Sequence, residues 1–148
     1  MSYTYKYPRP SVSADAAVFR VQNDQIEILL IRRANPPFKG MWALPGGFVD
    51  MDEDLETAAA RELKEETGVE GIELKQFHAY GAVVRDPRHR TISISYAGLL
   101  TNPQPGIKAG DDAADLSWFD VEALPELAFD HSTIIRDALI FARQLNWF

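Results

Sequence analysis

The chain has 148 residues, 46% of them hydrophobic, which suits one compact domain with a core of its own. It has no cysteine, so disulfides, thiolate zinc sites and cysteine nucleophiles are excluded, and a reducing, cytoplasmic setting is expected. The formal net charge is −7 and sits in one place: nine acids and two bases lie between Asp50 and Glu70, and the rest of the chain balances. So local an excess argues against a nucleic-acid-binding surface and for a cation site.

Residues 1–10 read as an N-terminal arm and 11–148 as a single domain. The arm has no basic region followed by an apolar run, so no secretory signal is expected. The longest greasy stretch, Ile26 to Ile31, is interrupted by Glu27, and no membrane contact is expected. Tyr3, Tyr5 and Tyr7 could pack on a second copy of the chain, giving a homodimer, or belong to a disordered tail.

Val12, Ala14, Ala16 and Val18 have the period-two pattern of a strand. Gln22-Asn23-Asp24-Gln25 reads as a turn into a second strand, Ile26 to Arg33, and Ala34-Asn35-Pro36-Pro37 breaks that strand and opens a loop to Gly40. A helix is expected from about Asp54 to Thr67, with Asp52 or Asp54 as its cap and Gly68 at its C-terminal end. Strands follow over Phe77 to Val84 and Thr91 to Leu100, joined by the polar hairpin loop from Arg85 to Arg90. A short strand around Leu116 to Phe119 precedes a closing helix from about His131 to Asn146, whose Ile134, Ile135, Ala138, Leu139, Ala142 and Leu145 form one stripe. Strands interleaved with two helices suggest an α/β fold, a mixed sheet covered on both faces.

The chemistry concentrates in the first helix. At 100° per residue, Glu62, Glu65 and Glu66 fall within about a 100° arc. Leu55, Ala59 and Leu63 flank the same side, which keeps these acids near the protein body. Like charges one turn apart repel unless a cation lies between them. Clustered hard oxygen ligands suit Mg²⁺ or Mn²⁺ rather than zinc, and such ions also change the sign of an acidic pocket that must accept a polyanion. A solvated acidic face is the competing explanation on charge alone. Just upstream, Pro45-Gly46-Gly47 would let backbone approach a metal or phosphate closely.

A match of the full spacing to a known family pattern favours the cation site. Gly47, five residues, Glu53, seven residues, then Arg61-Glu62-Leu63-Lys64-Glu65-Glu66-Thr67-Gly68-Val69 matches the Nudix box without a departure. The chain therefore resembles the Nudix hydrolases. That resemblance implies a Nudix-type α/β/α sandwich and a magnesium-dependent attack of water on a diphosphate. It makes Glu62, Glu65 and Glu66, with the Gly46 carbonyl, the metal ligands, and Glu53 and Arg61 the pair that braces the helix. The general base is not defined by the box: Asp111 and Asp112, on a glycine-led acidic loop, and Glu62 are the candidates.

Beyond the box, Arg32-Arg33 with Pro36-Pro37-Phe38-Lys39-Gly40, then Arg85-Asp86-Pro87-Arg88, Gly110-Asp111-Asp112-Ala113 and Leu127-Ala128-Phe129-Asp130-His131 look like the ADP-ribose pyrophosphatase group and the Nudix domains of nicotinamide-cofactor regulators. Arg32 or Arg33 could bind a phosphate, and so could Arg85 and Arg88. Phe38, Trp42 or Tyr80 could stack a base, or belong to the core. His131 is expected to cap or open the last helix. The substrate expected is a nucleoside diphosphate linked to another moiety, ADP-ribose first, cleaved to AMP and ribose 5-phosphate. A nucleoside triphosphate or oxidised nucleotide is the alternative substrate. A module that senses such a nucleotide without cleaving it is the alternative outside enzymology; the undamaged box and the lack of room for a DNA-binding winged helix count against it.

Overall fold

A computed structural model describes residues 2–104, 106–108 and 113–148. At its centre is β1 (Ser11–Gln22), buried from Ser13 to Phe19 because both faces of the sheet are covered. Ala14, Ala16 and Val18 pack toward helix α1 (Leu55–Thr67), against Ala58, Ala59 and Leu63. Ala17 and Phe19 pack toward helix α2 (His131–Gln144), against Ile134, Ile135 and Ala138. The alanines on β1 and α1 bring helix and strand close together. This is the α/β/α layering expected, with a mixed sheet between the helices.

The turn after β1 has Asn23 at φ 53° and Asp24 at φ 63°, the pair of left-handed residues that a tight hairpin requires. It leads into β2 (Gln25–Arg33), antiparallel to β1 only from Phe19↔Ile28 to Gln22↔Gln25. Beyond Ile28 the two strands part. β2 then pairs with β3 (Trp42–Ala43), while the other half of β1 pairs with β4 (Gly46–Phe48) through Ser13↔Phe48 and Asp15↔Gly46. Leu44-Pro45 crosses the gap, held by the Ala16 N–H donating to the Pro45 carbonyl at 2.9 Å. On its opposite edge β1 runs parallel to β6 (Thr91–Leu99), which pairs with β5 (Lys75–Tyr80). β7 (Ala113–Asp120) pairs with β2.

Two strand expectations need adjustment. The segment Trp42 to Phe48, for which no strand was expected, supplies β3 and β4. β5 stops at Tyr80, because the chain leaves the sheet at Gly81 and exposes Val83 and Val84. α1 ends as expected, with Gly68 at φ 81° and its N–H on the Lys64 carbonyl at 2.8 Å. Asp54 occupies the N-cap position but makes no side-chain cap bond. Among the described residues no helix is long and apolar enough to cross a membrane.

Candidate active site

Where β1 and β2 part, the sheet opens into a cleft of about 340 Å³. Its walls include Ser13 and Asp15 of β1, Arg33 at the end of β2, Gly46 and Gly47 of β4, Glu62 and Glu66 of α1, the loop residues Arg85, Asp86 and Arg88, and Phe129 and His131 at the start of α2. Two charged groups of opposite sign therefore share one space.

The acidic side is organised by Arg61. Its guanidinium forks onto Glu53, Nε to Oε2 at 2.9 Å and Nη2 to Oε1 at 2.6 Å. Nη1 donates to Glu62 at 2.8 Å and Glu65 at 3.3 Å, and Nη2 to the Phe48 carbonyl at 3.2 Å. Glu53 in turn accepts the Asp50 N–H at 2.9 Å, so the loop before α1, the helix and β4 are tied through one planar cation. Arg61's fork, with the Asp50 N–H adding to it, holds the Glu53 carboxyl down at about 2.

Glu66 is 7% exposed and accepts the Gly46 N–H at 2.9 Å. Glu62 lines the cleft, whereas the Glu65 side chain is 59% exposed and lies outside it. Gly47 makes the approach of Glu62 feasible: a Cβ there would come within 2.6 Å of the carboxyl carbon. Burial pushes the Glu66 carboxyl up to about 8; the charges of Glu62 and Asp15 add to this, and the Gly46 N–H opposes it. Burial raises Glu62 as well, against the hydrogen bond from Arg61.

Two acids forced toward protonation beside a backbone that admits no side chain are a donor set that fits a hard divalent cation. Among the described residues no three His, Cys, Asp or Glu side chains are grouped so as to hold a metal ion. Glu62 and Glu66 would hold the cation; Glu65 does not line the cleft.

A stability prediction follows from Glu66. Its folded value of about 8 lies above the ordinary carboxyl value of 4.5. As pH rises between those values, the unfolded chain ionises while the fold keeps its proton, so the metal-free protein loses stability. Melting in EDTA should therefore fall from pH 5 to pH 8, and Mg²⁺ should reverse the fall. The fall should be smaller in E66Q; equal slopes in the two proteins would contradict it.

The basic side is less positive than its arginine count suggests. Arg85 forks onto Asp130 at 2.9 and 2.7 Å, and Arg88 onto Asp86 at 3.0 and 2.7 Å. Arg33 differs. Its Nε donates to the Pro37 carbonyl at 2.7 Å, and among the described residues it has no carboxylate partner. Burial, and then the charge of Arg88, push Arg33 below the usual arginine range. Phe129, at φ 52°, presents its ring to the Arg33 and Arg88 guanidiniums at 5.0 and 5.6 Å. A half-buried cation with its outer nitrogens free suits a phosphate.

Several expected residues lie elsewhere. Arg32 is exposed and does not line the cleft, because successive strand residues point to opposite faces. Phe38 packs edge-on against Phe129 at 4.8 Å, behind the wall. Trp42 meets Phe119 at 4.7 Å and the Tyr80 hydroxyl donates to Asp137 at 2.7 Å, so both belong to the core layer. Asp111 and Asp112 lie outside the described residues.

Sequence reasoning missed Asp15, a buried acid whose Oδ2 accepts the hydroxyls of Ser93 and of Ser13, the latter at 3.3 Å. The available signal was polarity inside an otherwise apolar strand. Ser13 and Asp15 alternate with Ala14 and Ala16, and so share one face of β1. It also missed Asp86 and Asp130 as partners of the arginines.

The family model for the NUDIX domain matches residues 12–138. The chain is 45% identical over 131 residues to the ADP-ribose pyrophosphatase of Methanocaldococcus jannaschii, covering 88% of this chain and 74% of that one. It is 40% identical over 146 residues to the ADPR responsive transcriptional repressor NtrR of Acinetobacter baylyi, covering 95% of this chain but only 56% of the repressor. Among solved structures, the NUDIX domain of Shewanella oneidensis NrtR complexed with ADP ribose superposes with a TM-score of 0.82 at 33% identity, over 93% of this chain and 92% of that one. A MutT/nudix family protein from Enterococcus faecalis gives 0.86 at 32% identity, over 97% of this chain and 66% of that one. With the family model matched over residues 12–138, the box intact and Glu62 and Glu66 lining the cleft, the chain is a Nudix hydrolase.

Proposed function

We infer that the protein hydrolyses, with Mg²⁺ or Mn²⁺, the diphosphate of a nucleoside diphosphate linked to another moiety, and that ADP-ribose, cleaved to AMP and ribose 5-phosphate, is its substrate. The observation that carries this reading is Arg33, a cation without a carboxylate partner among the described residues, lining the same cleft as Glu62 and Glu66. The similarity to an ADP-ribose pyrophosphatase and to a NUDIX domain holding ADP ribose supports the choice of substrate.

A bound divalent ion would polarise a phosphoryl oxygen and acidify the attacking water. Glu62, Glu66 and the Gly46 carbonyl would hold that ion, and the box adds Glu65. Arg61 and Glu53 keep the acids in register, and Arg33 receives phosphate charge from the opposite wall. Water adds to one phosphorus as the bridging P–O bond breaks, and one carboxylate takes the water's proton. Glu62, on the cleft wall, is one candidate for that role; Asp111 and Asp112 are the others.

One panel tests the reading: protein and Mg²⁺ with ADP-ribose, NADH, CTP and 8-oxo-dGTP, with products identified. AMP and ribose 5-phosphate from ADP-ribose are expected. Pyrophosphate from a triphosphate would point to the alternative substrates. Binding of ADP-ribose without turnover would make the chain a sensor, a reading favoured by its similarity to the repressor. In the same assay R33A should raise the KM for ADP-ribose about tenfold or more, the worth of a charge-assisted contact.

A further inference from the structure

His131 lines the cleft, yet no step above gives it a part. It opens α2, is 4% exposed, and its Nδ1 accepts the Leu44 N–H at 3.0 Å. A ring nitrogen that accepts carries no proton, so in the neutral imidazole the proton sits on Nε2. Charging the ring would turn two N–H groups against each other at Leu44. Burial opposes that too, holding the ring below the ordinary histidine range. Hence the tautomer is defined by the fold.

Nε2 is the other half of the matter. It has no hydrogen-bond partner among the described residues, yet no enclosed side-chain nitrogen or oxygen among them lacks one. The ring lines the cleft shared with Arg33, Gly46 and Glu66, and no described residue occupies Nε2 there. Phe129, with its ring 5.3 Å away, packs beside the imidazole. A buried polar side chain with one nitrogen fastened and the other unpartnered is a donor waiting for an acceptor.

We propose that the Nε2–H of His131 donates a hydrogen bond to an anionic oxygen of the diphosphate in this cleft, making His131 a substrate-binding residue. The proposal rests on the diphosphate reading and adds to it an uncharged donor. Arg33 and a divalent ion supply positive charge; a neutral N–H adds direction without repelling either.

His131 also tethers Leu44, two residues before Gly46, so removing the whole ring would mix two effects. Two variants separate them. H131N offers an amide oxygen near the Nδ1 position and no donor at Nε2; H131Q offers an amide nitrogen near Nε2 and no acceptor for Leu44. Calorimetry with Mg²⁺ should show H131N binding both ADP-ribose and inorganic pyrophosphate about tenfold more weakly than wild type, with an unchanged melting temperature. H131Q should melt lower and keep most of its affinity. The reverse pattern, or an H131N affinity equal to wild type, overturns the proposal. If the wild type does not cleave ADP-ribose, the substrate assignment fails, but pyrophosphate still tests the donor; a wild type that binds no pyrophosphate with Mg²⁺ overturns the donor as well. Should either variant fail to fold, the wild-type imidazole ¹⁵N–¹H signal of Nε2 must shift on adding Mg²⁺ and pyrophosphate, and no shift overturns the proposal.

Discussion

Replacing Glu66 with Gln should lower turnover about a thousandfold while raising the melting temperature of the metal-free protein near pH 8. Both effects come from one buried carboxyl. Gln keeps an oxygen for the Gly46 N–H, a bond of 2.9 Å, and carries no charge to desolvate. In the metal-free fold it imitates the protonated acid that burial already favours up to about 8. The same change removes an anionic ligand from the proposed divalent-ion site, whose charge stabilisation is worth several kcal/mol, or about three decades in rate. AMP release and thermal melting in EDTA check the two halves. Turnover within a few-fold of wild type would refute the role given to Glu66, and a lower melting temperature would refute the account of its burial.

The second large effect is expected from R61K, which preserves charge and loses shape. One guanidinium spans both oxygens of Glu53 at 2.9 and 2.6 Å, Glu62 at 2.8 Å, Glu65 at 3.3 Å and the Phe48 carbonyl at 3.2 Å. A lysine ammonium has three donors on a flexible stem and cannot reproduce that fork. The acids should lose register by a fraction of an ångström. Partners that orient metal ligands are worth about 10–100-fold in affinity or activity, so kcat/KM should fall about a hundredfold, with Mg²⁺ affinity falling alongside. A Mg²⁺ titration of initial rates checks this. Equal Mg²⁺ dependence in R61K and wild type would mean that Arg61 only braces the helix.

What was legible in the chain was local. The left-handed end of α1 at Gly68, the Asn23-Asp24 hairpin and the apolar stripe of α2 depend on neighbours within a few residues. β4 was not, since Gly46-Gly47-Phe48 is too short to alternate, opens on two glycines of low strand propensity, and is a strand because β1 pairs with it. The same limit holds at the site. The acids of α1 could be placed on one arc from spacing alone, but that Glu65 would stand outside and Glu66 within depends on β4. Arg85 and Arg88 read as possible phosphate ligands; that Asp130, 45 residues away, holds Arg85 is a product of the fold, whereas the pair of Asp86 with Arg88 is local and was missed all the same. Arg32 and Arg33 were indistinguishable until the sheet chose which one faced the cleft. His131 read as a helix opener, and it is one, but its Nδ1 meets Leu44 across 87 residues.

The most direct measurement is a calorimetric titration of Mg²⁺ into the protein near pH 7, with and without ADP-ribose, in two buffers of different ionisation heat. Uptake that grows when nucleotide is present and releases a proton to the buffer is the predicted result, because an ion at Glu62 and Glu66 must displace the proton that burial retains there. No uptake of Mg²⁺ or Mn²⁺ under either condition would contradict the account.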